Sequence, residues 1–226
     1  MYKYTDRFAA FCRKELSFQA DAIYDYQSLS VCILDCVYSL RAQYFSTTVP
    51  VVERYAKEYM NGDMHAANDT ASNLIKNIES VGGPDSFATK ILKNRQQIGG
   101  VLKSEVCYQL AKYLGYLHID TIKDFRNFES LELLETVIRA VKGMGDAGTN
   151  YLFMLAGDPN RCKPDVHIHH CVRDACGEDI SNGDCQILFT ETVAMLKDDY
   201  PYLTVAKLDS IIWNKYQSEG LSSGKK

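Results

Sequence analysis

The stretch Val141-Lys142-Gly143-Met144-Gly145-Asp146-Ala147-Gly148-Thr149-Asn150 lies between two segments whose apolar residues recur three and four apart, Leu131 to Ala140 and Ala147 to Ala156. That period predicts a helix on each side. Two glycines separated by one residue make the connection a tight hairpin, with backbone N–H groups turned outward. At the start of the second helix such amides can hold a phosphate oxygen without any side-chain charge, and Lys142 adds a cation beside them. The same residues also fit a purely structural role, with Gly143 ending the first helix and Gly145 serving as a turn residue.

Outward from the hairpin, the same periodicity predicts helices over residues 3–17, 28–44, 48–60, 68–79, 84–93, 101–115, 129–140, 147–156, 166–175, 183–198 and 204–217. Alternation with period two is nearly absent, so the expected fold is all-α. Val81-Gly82-Gly83-Pro84-Asp85, Gly157-Asp158-Pro159-Asn160 and Asp199-Tyr200-Pro201 supply helix stops and proline-restricted turns between elements. The end of the chain, Gly220 to Lys226, reads as a frayed tail. No fixed-period repeat and no low-complexity linker divides the sequence.

The 226 residues are 46% hydrophobic and 24% charged, a balance that excludes disorder as the main state. A net charge of −4 means that contact with nucleic acid requires a local basic face. Between Lys90 and Arg126, seven basic residues (90, 93, 95, 103, 112, 123, 126) stand against three acidic ones (105, 120, 124), a net of +4. Such a lobe can bind phosphates, and it is equally a solvated helix face. No window reaches the roughly 18 apolar residues of a membrane span, and the first residues lack a signal-peptide core. Eight cysteines, at 12, 32, 36, 107, 162, 171, 176 and 185, fall mostly in apolar, helix-like segments. They suggest free thiols in a reducing, intracellular (cytoplasmic) compartment.

A second informative stretch is Arg161-Cys162-Lys163-Pro164-Asp165-Val166-His167-Ile168-His169-His170-Cys171-Val172. Pro164 disfavours helix for Lys163, and Asp165 stands where an N-cap belongs. His167 and Cys171 are four apart, but no Cys-x-x-Cys pair accompanies them, so buried thiols and a histidine-lined cleft are expected rather than zinc.

A Gly-x-Gly hairpin followed about twenty residues later by Asp-x-His at a helix start resembles the helix-hairpin-helix DNA glycosylase superfamily, the group that includes endonuclease III. Gly143, Gly145 and Asn150, then Asp165, Val166, His167 and Ile168, carry the resemblance. Tyr38-Ser39-Leu40-Arg41-Ala42-Gln43 is similar to the region where family members place a wedge residue. Leu203-Thr204 through Leu208-Asp209-Ser210-Ile211-Ile212-Trp213 is similar to the closing helix of small members without an iron-sulfur cluster. The similarity spans about residues 28 to 217.

The resemblance implies two helical lobes. Residues 28–156 form a central bundle ending in the hairpin, and residues 1–27 join 157–226 in a second lobe, with Asp165 at the mouth of a cleft between them. It implies double-stranded DNA with a damaged or modified base as partner, and base excision repair as the setting. Lys142, Gly143, Met144, Gly145 and Thr149 would grip the backbone, Gln43 would fill the space left by the flipped nucleotide, and His167 and Tyr44 would line the cleft. Bifunctional members carry a lysine in the hairpin, where this chain has Ala147 or Gly148, so a Schiff base cannot form there and a monofunctional enzyme is expected. No cysteine follows Cys185, so no iron-sulfur cluster and no other cofactor is expected.

The chemistry of Asp165 also follows from general principles. Cleaving a base from deoxyribose passes through a sugar with oxocarbenium character, which a nearby carboxylate stabilises. The target atom is inaccessible in a duplex, so the nucleotide must be extruded. The alternative function is a helix-hairpin-helix protein that binds DNA without cutting it.

Overall fold

Helix α2 (Leu29–Ser39) carries apolar side chains all round, in Val31-Cys32-Ile33-Leu34 and Cys36-Val37-Tyr38 on either side of Asp35, and a helix of that kind must be covered on every face. The computed structural model, which describes residues 1–18 and 26–223 with side chains to 217, buries every one of its residues. Around it pack α3 (Val49–Tyr59), α4 (Ala71–Ser80), α6 (Lys103–Tyr116) and α9 (Asp146–Leu155). With α5 (Pro84–Lys90), α7 (Ile122–Arg126) and α8 (Leu131–Ala140) these form one compact unit, Asp25–Gly157.

The second unit joins Met1–Tyr24 to Asp158–Lys226. Here α1 (Thr5–Glu15) packs on α10 (Val166–Cys176) and α11 (Asn182–Leu196), and α12 (Val205–Ser223) packs on the latter two. Phe8, Cys12, Ile168, Cys171, Val172, Leu188, Phe189, Leu208 and Ile212 share its core, with the rings of Phe8 and Phe189 5.4 Å apart. The boundary between the units near the N-terminus falls at residues 24 and 25, outside the described residues.

The fold is helical with almost no strand, as the periodicity predicts, and three elements depart from expectation. Residues 28–44 were expected to be one helix, but α2 stops at Ser39 and Arg41 takes φ +51°. A π-helical turn, Tyr44–Thr48, then leads directly into α3. No Pro or Gly marks this stop. It comes from Lys103 of α6, whose buried ammonium donates to the carbonyls of Tyr38 (3.0 Å) and Leu40 (2.8 Å) and so ends α2 from outside.

The second departure is a two-stranded antiparallel hairpin, β1 (Gln97–Ile98) and β2 (Val101–Leu102). Gly99 and Gly100, with φ +58° and +78°, make its turn, a job glycine does without steric cost. Third, α7 was not expected. It is one turn long and held by a capping box between Thr121 and Asp124. The tail expected from Gly220 is helical through Ser223, and residues 224–226 lie outside the described residues. No described helix is long and apolar enough to cross a membrane.

Candidate functional site

In the first unit, α8 and α9 meet across residues 141–145. Val141 turns the chain out of α8, and its carbonyl accepts the Met144 amide at 3.0 Å, closing a tight turn. Gly143 takes φ +105°, and a Cβ there would lie 2.9 Å from Cγ2 of Ile98 on β1. Glycine is therefore required twice over, by backbone conformation and by close approach. Gly145 is the N-cap of α9 and offers no side-chain acceptor. The N–H groups of the first turn of α9 thus have no intrahelical acceptor, since the ladder begins with the Thr149 amide donating to Gly145. Lys142 and Gly145 are exposed. Asp146, at the same helix start, is 3.4 Å from Arg139 of α8.

Two residues expected to touch DNA do not present side chains there. Met144 is 5% exposed and lies under α9, close to where a Cβ of Gly148 would be. Thr149 is fully buried. Both follow from the close approach of α2 and α9, where a Cβ on Gly148 would stand 3.3 Å from Leu40 and the Cys36 thiol donates to the Gly148 carbonyl at 3.2 Å. Their backbone amides are also taken, by the carbonyls of Val141 and Gly145, so neither residue offers a donor to a phosphate.

Gln43 is exposed, three residues beyond that contact, and beside it Phe45 holds a large apolar side chain 59% exposed. Tyr44 is half-buried, with its hydroxyl donating to Asp35 at 2.7 Å. Tyr26 and Tyr151 donate to the same buried carboxyl at 2.9 and 2.8 Å. Three phenols on one carboxylate tie the start of α2, the π-helical turn and α9 together.

The basic stretch also changes character. Lys103 is 1% exposed and belongs to the core, with Gln96 as a third acceptor at 3.0 Å. Arg95 forms a two-pronged pair with Asp85, at 2.7 and 2.9 Å. Arg126 donates to the Ala156 carbonyl at the end of α9, in room left by the missing side chain of Gly157. The surface excess of positive charge is smaller than the sequence count.

In the second unit, the segment before α10 is tied down by its backbone. The Asn160 carbonyl accepts from Gln186 at 2.8 Å, the Cys162 amide donates to the Gln186 side chain at 3.1 Å, and the Pro159 carbonyl accepts from Ala206 at 3.0 Å. The Asp165 amide donates to the Lys163 carbonyl at 2.7 Å, a three-residue turn centred on Pro164. Asp165 is the N-cap of α10, as its position after Pro164 predicts, and its Oδ1 accepts from the His167 amide (2.9 Å) and the Ile168 amide (3.3 Å). Asp165 is half-buried, and the two amides fix its carboxylate. His167 is half-buried, its ring edge-on to Trp213 of α12 at 5.8 Å.

Sequence reasoning missed Asp209. It is 2% exposed on α12, and its Oδ2 accepts the Lys163 amide at 2.8 Å. Burial, and next the charge of Asp165, push its carboxyl well above the usual carboxylate range, with the Lys163 amide and ammonium opposing. The signal was present in the sequence as an acid inside the apolar run Leu208 to Ile212, and Asp35 sits in a similar run.

All eight cysteines are buried thiols. Burial raises those of Cys171 and Cys185 to about 12. Among the described residues, no three His, Cys, Asp or Glu side chains are grouped to hold a metal ion.

A family model described as a domain of unknown function (DUF8548) covers residues 6–218. No curated protein and no solved structure matches the chain.

Proposed function

We propose that this chain, which belongs to the DUF8548 family, is a monofunctional DNA N-glycosylase with the two-lobed helix-hairpin-helix fold that its sequence resembles. The observation that carries the proposal is Asp165, a half-buried carboxylate at the start of α10, on a segment whose backbone is tethered at Pro159, Asn160, Cys162 and Lys163. A group held this way needs little reorganisation when charge develops on a nearby sugar.

In the proposed reaction a modified nucleotide is extruded from the duplex and its glycosidic bond breaks. The electron pair leaves with the base, Asp165 stabilises the cationic sugar, and water adds at the anomeric carbon while its proton passes to the departed base. Ala147 and Gly148 provide no amine, so strand cleavage is not part of the activity. The Gly143–Gly145 turn and the first amides of α9 are assigned the phosphate contact, with Lys142 beside them. Gln43 and the exposed Phe45 are assigned the vacated stack, and Trp213 and His167 the aromatic surroundings of the acid.

The second reading, a DNA-binding protein without catalysis, is favoured by one observation. The Oδ1 of Asp165 already accepts two amides, which by itself accounts for the residue as a cap.

Single-turnover release of base from duplexes carrying a panel of modified bases decides between the two. Asp165→Asn keeps a capping oxygen and removes the charge, so it is expected to retain DNA affinity and lose base release. Asp165→Ala loses the cap as well and costs a further ~0.5–2 kcal/mol of stability in urea denaturation. Undiminished turnover in Asp165→Asn refutes the catalytic assignment, and salt-dependent affinity with no released base selects the binder.

A further inference from the structure

The reaction assigned to Asp165 uses one carboxyl group, and the same unit buries a second that no step employs. Asp209 is all but sealed in α12, yet its Oδ2 reaches out of the helix to the amide of Lys163 at 2.8 Å. The Lys163 carbonyl in turn accepts the Asp165 amide at 2.7 Å. A single peptide segment therefore links the two acids through backbone atoms. A buried acid is costly unless its hydrogen bonds secure something, and here they secure the residue pair that leads into α10.

We propose that Asp209 is a positioning residue for Asp165, clamping the Lys163-Pro164-Asp165 turn to α12 so that the acid of α10 is held in place through its own backbone. Its protonation fits this task. Desolvation and the neighbouring Asp165 charge favour the neutral form, whereas the Lys163 amide and ammonium oppose it. The other titratable groups facing Asp209 are the thiols of Cys162 in the same segment and Cys185 on α11, both themselves pushed upward by burial. A neutral carboxyl accepts the Lys163 amide through its carbonyl oxygen and places no second negative charge beside the one that stabilises the sugar. This role rests on the glycosylase reading for its catalytic consequence, but the clamp itself does not.

The test compares Asp209→Asn, which keeps an acceptor and is always neutral, with Asp209→Ala, which keeps neither acceptor nor contact. Three readouts are followed in the whole 226-residue chain: single-turnover base release as a function of pH, hydrogen exchange at the Lys163 amide, and urea stability across pH. Asp209→Asn is expected to release base within about threefold of the parent rate. Asp209→Ala is expected to lose at least about tenfold through displacement of Asp165, with DNA affinity unchanged.

The Lys163 amide stays protected in the Asn variant and exchanges freely in the Ala variant. Because the folded carboxyl titrates above its ordinary value of 3.8, the parent loses stability as pH rises from there through the raised value, and Asp209→Asn removes that loss. Equal rates and equal protection in the two variants overturn the proposal. So does a loss in Asp209→Asn as deep as that of Asp165→Asn, which makes the Asp209 charge itself necessary. If the parent releases no base, the glycosylase reading fails while amide protection still decides the clamp: kept in Asn and lost in Ala supports it, and unchanged in both refutes it. Should the Ala variant not fold, loss of protection in the Asn variant refutes it as well.

Discussion

Replacing Gly143 by alanine tests the hairpin directly, because the structure assigns two separable penalties to a single methyl group. The backbone there has φ +105°, a conformation that costs an L-residue roughly 1–2 kcal/mol. The new Cβ would also stand 2.9 Å from Cγ2 of Ile98, well inside the ~3.5–4.0 Å of a comfortable carbon contact. Crowding of that kind costs about 1–3 kcal/mol. Contacts to Val106 at 3.5 Å and to the Ile98 carbonyl at 3.6 Å are ordinary and add little. Together the two penalties predict a loss of about 2–5 kcal/mol, with the slope of the urea transition unchanged.

The steric part is isolated by adding Ile98→Ala, which deletes the clashing Cγ2. In a double-mutant cycle the pair is expected to be more stable than the sum of the single variants by ~1–3 kcal/mol, leaving the backbone part in place. A Gly143→Ala protein within ~0.5 kcal/mol of the parent, or one with no coupling to position 98, refutes the account of why glycine occupies this turn.

Two further predictions address the cores of the units. Lys103→Met leaves the carbonyls of Tyr38 and Leu40 without their donor and is expected to cost about 2–5 kcal/mol in urea or thermal unfolding, whereas a loss under ~1 kcal/mol shows that α2 does not depend on the ammonium. Titration of the native protein with an aromatic disulfide reagent near neutral pH is expected to modify none of the eight buried thiols quickly and all of them in denaturant. Rapid reaction of even one places that cysteine at the surface.

Capping and turn signals were the most legible features because they act over a few bonds. Pro164 followed by Asp165 specifies a helix start from its own residues, and the carboxylate accepts the two amides such a start leaves open. The Gly143–Gly145 turn was legible for the same reason. The end of α2 was not, because the group that stops it lies in α6, more than sixty residues away in the chain. Counting Lys103 and Arg95 as surface charge overstated the basic face, since one is buried and the other is matched by Asp85. Of the candidate site, the turn glycines Gly143 and Gly145, Lys142, Gln43 and Asp165 were identifiable from sequence, whereas the burial of Met144 and Thr149 followed from how closely α9 lies against α2.

By itself the sequence determined the helical class, most helix starts and stops, the glycine turn and the capping acid, because period, proline and glycine restrict φ and ψ locally. Tertiary structure alone decided which polar groups were taken out of water. The Tyr151 phenol on Asp35, Lys103 on the end of α2 and Asp209 beneath the Lys163–Asp165 turn depend on partners far away in the chain, because desolvation and hydrogen bonding depend on which segments meet and not on which residues are neighbours in sequence.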